Sequence, residues 1–157
     1  MGPGCRRWEF CDIPEIAQLM SVHALWQHYG LDRATAETRL HQLWREDESG
    51  FVWEPEPGKI LGFVLFNRSS FGGSGYVRWV GVAAGATGLG IGPRLLQCVE
   101  HDLRQNSVFR LLLLCTAWNH GARRFYERMG FSEIGRLPDW VLKGTTEVLY
   151  AKHLDSP

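Results

Sequence analysis

The stretch from Val80 to Leu96, VGVAAGATGLGIGPRLL, constrains this chain more than any other. A strand-like segment, Tyr76 to Val82, breaks into a turn dense in glycine (Gly85, Gly88, Gly90, Gly92). The turn runs straight into a helical pattern of apolar residues at Leu95, Leu96, Val99 and Leu103. The first turn of a helix has four backbone N–H groups without intrahelical partners, and the helix dipole adds about half a positive charge there. Glycines let an anion approach that backbone without meeting a Cβ. The stretch is therefore expected to cradle a phosphorylated ligand.

The flanking chain alternates strand and helix patterns. Cys5 to Phe10 reads as a first strand. Asp12 then opens DIPE, where Asp12 can cap a helix and Glu15 can bond back. Ile16, Leu19, Met20 and His23 recur at helical spacing and predict one helix that stops at Gly30. A second helix starts at Asp32, carries Ala36, Leu40, Leu43 and Trp44 on its stripe, and ends near Gly50. Phe51–Trp53 and Ile60–Asn67 read as strands joined by the turn EPEPGK. With Tyr76–Val82 they give three antiparallel strands in succession. Gly81 inside the third marks a bulge or a close backbone approach.

Beyond the glycine turn, a helix over about Pro93 to Gln105 leads to an apolar run, Val108 to Cys115, of the kind expected of a central strand. Strand, crossover helix and strand in this order favour a parallel pair with a right-handed connection. Asn119 caps a further helix with Ala122, Phe125, Tyr126 and Met129 on one face, closed by Gly130. Phe131–Gly135 and Glu147–Lys152 complete the sheet around a long loop, RLPDWVLKGTT.

At 157 residues, with 45% hydrophobic and 22% charged, the chain fits one domain over residues 1–157. Net charge is zero, so nothing in bulk indicates a nucleic-acid or membrane partner. Residues 1–77 carry ten acids and seven bases, residues 78–157 seven acids and ten bases, and the glycine turn lies in the basic half. Cys5, Cys11, Cys98 and Cys115 form no CxxC pair, and no histidine stands at metal-ligand spacing, so no metal is expected. No apolar run reaches signal-peptide or membrane-span length, which gives a soluble, cytoplasmic, reducing setting as the default expectation.

Two familiar phosphate sites fail on spacing. A dinucleotide fingerprint needs GxGxxG, whereas Gly88, Gly90 and Gly92 give GxGxG late in the chain. A phosphate-loop NTPase needs GK followed by Ser or Thr, and the only GK, Gly58–Lys59, lacks both flanks. The segment Thr87, Gly88, Leu89, Gly90, Ile91, Gly92 instead resembles the acetyl-CoA pyrophosphate loop of the GNAT N-acetyltransferase superfamily: Arg or Gln, two residues, Gly, one residue, then Gly or Ala. WNHGARRFYERMGF, Trp118 to Phe131, resembles the family's second hallmark, in the right order and about 30 residues further on. The family's Arg or Gln is here Thr87, which leaves phosphate binding to backbone amides.

The resemblance implies a mixed α/β (α+β-like) GNAT fold: a six- to seven-stranded mixed sheet, about four helices, and parallel central strands that splay. It also implies acetyl-CoA as cosubstrate, its pantetheine pairing with the backbone of Val80–Val82 much as an added strand would. Asn119 then lies near the pantetheine arm, and Arg123 or Arg124 near a CoA phosphate, with Arg124 taken as the binding residue. Tyr126 falls on the family's tyrosine, which protonates the departing thiolate; a phenol of pKa about 10 can do this for a thiolate of pKa about 8.5. A backbone N–H of Val80–Val82 is expected to polarise the thioester carbonyl.

A primary amine is neutral in about one molecule in two thousand at pH 7, so a base is needed. The strand YVRWVGV carries no carboxylate, which leaves Asp139, Glu147 and Glu54, directly or through water. In the family the acceptor meets the first helices and the last loop, here Leu25–Tyr29 and Pro138–Trp140, both aromatic. The expected activity is acetyl transfer to a primary amine of a small molecule or peptide. A non-catalytic acyl-CoA-binding module and transfer of a longer acyl group are the alternatives. Seven tryptophans admit a homodimer as well as a monomer.

Overall fold

Residues 4–155 are described by a computed structural model. Its elements run β1 (Cys5–Arg7), α1 (Ile13–Ser21), α2 (Ala24–His28), α3 (Arg33–Arg45), β2 (Ser49–Trp53), β3 (Gly62–Asn67) and β4 (Gly75–Val82). They continue with α4 (Ile91–Gln105), β5 (Arg110–Thr116), α5 (His120–Arg128), β6 (Ser132–Pro138) and β7 (Thr146–His153). The strands form one mixed seven-stranded sheet in the order β1-β2-β3-β4-β5-β7-β6. This is the expected fold class, with five helices in place of about four. The chain divides into two compact units: the part up to Phe66 with Trp79–Val99, and Asn67–Arg78 with the part from Glu100 onward.

In the first unit β1 pairs antiparallel with β2, and β2 with β3, from Ser49↔Phe66 to Trp53↔Gly62. Helices α1 to α3 and strands β2 and β3 share a core that includes Ile16, Met20, Leu40 and Phe63. Helix α3 begins as expected: Asp32 Oδ1 accepts from Thr35 N at 2.8 Å, and Ala36, Leu40 and Leu43 are buried. It ends at Arg45 rather than near Gly50, because Asp47 turns the chain with φ +58° and Gly50 already lies in β2.

Two local expectations are corrected. Asp12 does not cap α1 with its side chain. Its carboxylate accepts from Glu9 N at 2.7 Å and takes both Arg6 Nη1 and Nη2 at 2.8 Å, so the reciprocal box closes on Glu9 and Asp12. Glu15 Oε1 is spent instead on Ile60 N at 3.1 Å. The single helix expected to reach Gly30 breaks at Val22, leaving His23 extended (φ −91°, ψ 129°) before the short α2. The break lets Trp26 turn inward onto Phe63, ring centroids 5.7 Å apart, and over Gly81. A Cβ at Gly81 would collide with Trp26 Cη2 and stand 2.8 Å from Phe63 Cε1, so the glycine is a close-approach site.

In the second unit β4 pairs parallel with β5 from Gly75↔Leu111 to Val77↔Leu113, β5 antiparallel with β7, and β7 with β6. Strand β5 lies inside the sheet, between β7 and β4, as its apolar run predicts. Strand β6 extends to Pro138, so the start of the expected last loop, Arg136 to Pro138, is strand. The C-terminal part of α4 is tied down by ion pairs: buried Asp102 takes Arg68 at 2.6 and 2.9 Å, and Glu100 takes Lys152 at 2.6 Å. Such buried carboxylates persist only when paired and hydrogen-bonded.

Candidate active site

Within the first unit, β4 leads through Val80 and Val82, both half-buried, into the glycine turn. One tight turn, Ala84–Ala86, is closed by Ala86 N on Ala83 O and by the Thr87 hydroxyl, which donates to Ala84 O at 3.1 Å. Thr87 thus holds the turn. Gly88 (φ +81°) and Gly90 (φ +75°) lie in the left-handed region that an L side chain resists. A Cβ built at Gly85, Gly88 or Gly90 meets nothing within 4 Å, so the backbone there faces open space. Leu89 between them is exposed.

Helix α4 starts at Ile91, two residues before the expected Pro93. Buried Ile91 anchors this start against Gly62, where a Cβ would stand 2.8 Å from Ile91 Cγ2. Pro93 therefore occupies the third helical position, inside the first turn, where its missing N–H breaks no helical bond. The amides of Ile91 and Gly92 remain without intrahelical partners, at the positive end of a 15-residue helix. Thr87, Gly88, Leu89, Gly90, Ile91 and Gly92 are thus brought into one turn of open backbone and free first-turn amides, continuous with Val80 and Val82.

The second unit holds the other expected residues. Asn119 caps α5, its Oδ1 accepting from Ala122 N at 3.3 Å, and Gly130 (φ +88°) ends that helix. Tyr126 is 8% exposed, its ring packed against Phe125, Phe131 and Tyr150 at centroid distances of 5.2, 5.9 and 6.2 Å. Burial, then the neighbouring Cys115 and Tyr76, hold its phenol well above the usual range, so the resting hydroxyl keeps its proton. Among the described residues none hydrogen-bonds that hydroxyl. The adjacent Tyr150 differs: its hydroxyl accepts from Arg123 Nε at 3.2 Å and donates to Glu127 at 3.0 Å. Burial also pushes the Cys115 thiol up to about 12, with the Glu147 charge adding to the effect.

Of the two arginines considered for a CoA phosphate, Arg123 is committed to Tyr150, to Ala117 O at 3.3 Å and to Glu133 at 3.1 Å. Arg124 is exposed. The carboxylates considered as base fall in different settings. Glu54 is held by Arg6 and by Gly58 N, and these bonds, Arg6 foremost, lower its pKa, which makes it a weak base. Asp139 (φ +55°) accepts from Gly144 N in the β6–β7 turn. Glu147, 3% exposed, stands opposite Thr116 across β5 and β7.

The aromatic residues considered for the acceptor also separate. Trp26, 5% exposed, is a core residue, while Trp140 is 69% exposed beside Val141 and Leu142. One polar group was not legible in the sequence. His23 Nε2 is buried without a hydrogen-bond partner, with the ring edge-on to Trp26 at 5.3 Å. Helical spacing puts His23 on an apolar stripe; only the break at Val22, which no Gly or Pro announces, gives it this position.

Comparison with known proteins bears on the family and the fold. The family model described as the Acetyltransferase (GNAT) family matches residues 16–131. The 5-NmdU N-acetyltransferase of Pseudomonas phage PaMx11 is 35% identical over 78 residues, 50% of this chain and 54% of that protein. The match thus spans about half the length of that curated relative. Among solved structures, the ribosomal-protein-S18-alanine N-acetyltransferase of Escherichia coli superposes with a TM-score of 0.78 at 18% identity, covering 98% of this chain and 94% of that one. The ribosomal-protein-alanine N-acetyltransferase of Brucella melitensis gives 0.74 at 23% identity over 96% and 99%. A structure from Salmonella typhimurium with its cofactor acetyl-CoA gives 0.72 at 18% identity over 98% and 94%.

Proposed function

Because the chain belongs to the GNAT acetyltransferase family, whose members use acetyl-CoA as acetyl donor, we propose that it moves this acetyl group to a primary amine of a small molecule or peptide. The observation that carries the reading is the turn from Thr87 to Gly92. It presents left-handed glycines, open backbone and unpaired first-turn amides to a ligand whose pyrophosphate needs such donors. In this reading Asn119 meets the pantetheine arm and Arg124 a CoA phosphate. A backbone N–H of Val80–Val82 polarises the thioester carbonyl.

The neutral amine attacks the carbonyl carbon, the C–N bond forms and the C–S bond breaks. Tyr126 gives its proton to the departing thiolate. The high pKa of this buried phenol opposes the transfer until the thiolate is equally desolvated, which raises the thiolate's own proton affinity. Glu54 is too stabilised as an anion to take the amine's proton, and we assign that proton to water. The experiment is a panel of amines with acetyl-CoA, read by thiol release: polyamines, amino acids, a peptide with an N-terminal alanine, and 5-NmdU. Turnover of one class well above hydrolysis is expected; tight acetyl-CoA binding with no turnover of any amine overturns the reading.

A further inference from the structure

Three free cysteines other than Cys115 lie in the first unit, and two of them meet. Cys5 on β1 is directly opposite Trp53 on β2, and cross-strand partners share a sheet face. Arg94 on α4 lies over the Trp53 ring, 5.0 Å from its centroid. Cys98 is one turn further along α4 on that same helix face, the one that meets the sheet face shared by Trp53 and Cys5. The two thiols are near enough for each to shift the other's ionisation. Cys5 is buried and Cys98 half-buried, so an oxidant meets Cys98 first.

We infer that Cys98 and Cys5 form a peroxide-reactive dithiol, in which Cys98 is attacked first and Cys5 resolves it into a disulfide joining β1 to α4. The neighbouring Cys5 thiol lowers the Cys98 pKa to about 7 despite partial desolvation, while Cys5 itself stays protonated. The Cys98 thiolate attacks one peroxide oxygen: the S–O bond forms, the O–O bond breaks, and hydroxide leaves as water once protonated. Cys5 sulfur then attacks Cys98 Sγ. The S–S bond forms, the S–O bond breaks, and the departing hydroxide takes the Cys5 proton. Two thiols and one hydrogen peroxide give one disulfide and two waters.

Cys11 is the internal control. It is exposed, but desolvation and the carboxylates of Asp12 and Glu9 raise its pKa, so access and thiolate character rank the two sites oppositely. The test uses the reduced full chain at pH 7. Iodoacetamide is expected to label Cys98 about tenfold faster than Cys11. Dilute hydrogen peroxide should give a protein two hydrogens lighter, a cross-linked Cys5–Cys98 peptide in a non-reducing map, and recovery with dithiothreitol. In Cys5→Ser, dimedone should trap a sulfenic acid at Cys98. Faster labelling or earlier oxidation of Cys11, or both Cys5 and Cys98 still alkylatable at peroxide doses that oxidise Cys11, overturns the inference.

Discussion

Replacing Gly88 by Ala separates what the glycine turn does for folding from what it does for ligand. At φ +81° an alanine is strained by about 1 kcal/mol, and no neighbour within 4 Å adds a clash. Gly58 supplies the matched control: φ +76°, equally open, in the β2–β3 turn. Both variants should lose about 1 kcal/mol, or roughly 2–4 °C in Tm for a chain of this size. Only Gly88→Ala also puts a methyl where a phosphate must approach the backbone. Losing one charge-assisted bond there removes about 1.5–3 kcal/mol, a rise of about 10- to 150-fold in Kd. Calorimetry with acetyl-CoA on both variants and urea unfolding of both give all the numbers. Equal acetyl-CoA affinity in Gly88→Ala and the parent, or equal loss in Gly58→Ala, would falsify the assignment of the turn.

Two further outcomes follow from packing and charge. Gly81→Ala forces a Cβ into Trp26 and Phe63, both buried, and should cost about 1–3 kcal/mol in urea unfolding; an unchanged midpoint would mean that the Trp26 contact is not tight. The Glu54 carboxyl is held below its ordinary 4.5 by Arg6, then by Gly58 N. Its folded pKa is depressed, so its contribution to stability is present above pH 4.5 and is lost as pH falls through the folded value. Glu54→Gln should therefore flatten the fall of stability on the acid side of pH 4.5, and an unaltered acid limb would sink this account of the Arg6 cluster.

The parts of the fold that local chemistry dictates were legible. Asp32 and Asn119 cap the helices they precede, and β2 and β3 joined by a Pro/Gly turn give the expected hairpin. The apolar run of β5 sits inside the sheet, between β7 and β4, in parallel register with β4. The misses arise where tertiary contacts override local signals. Nothing between Ser21 and Ala24 breaks a helix by propensity; the break serves the burial of Trp26 over Gly81. Asp12 looked like a cap until Arg6, six residues earlier, claimed its carboxylate. At the site, the glycine turn could be read because it is contiguous. The contrast between Tyr126 and Tyr150 could not, since it depends on Arg123 and Glu127 reaching one hydroxyl and not the other.

The most direct test of the account is Tyr126→Phe, assayed for turnover and for acetyl-CoA binding in the same preparation. No described residue hydrogen-bonds the lost hydroxyl, so no partner is left unpaired and stability should change by less than about 1 kcal/mol. Acetyl-CoA affinity should stay near the parent value, while kcat falls by about 10²- to 10⁴-fold, the usual contribution of a positioned acid. Full turnover in a folded Tyr126→Phe protein that binds acetyl-CoA normally would contradict the assignment of Tyr126 as the group that protonates the thiolate.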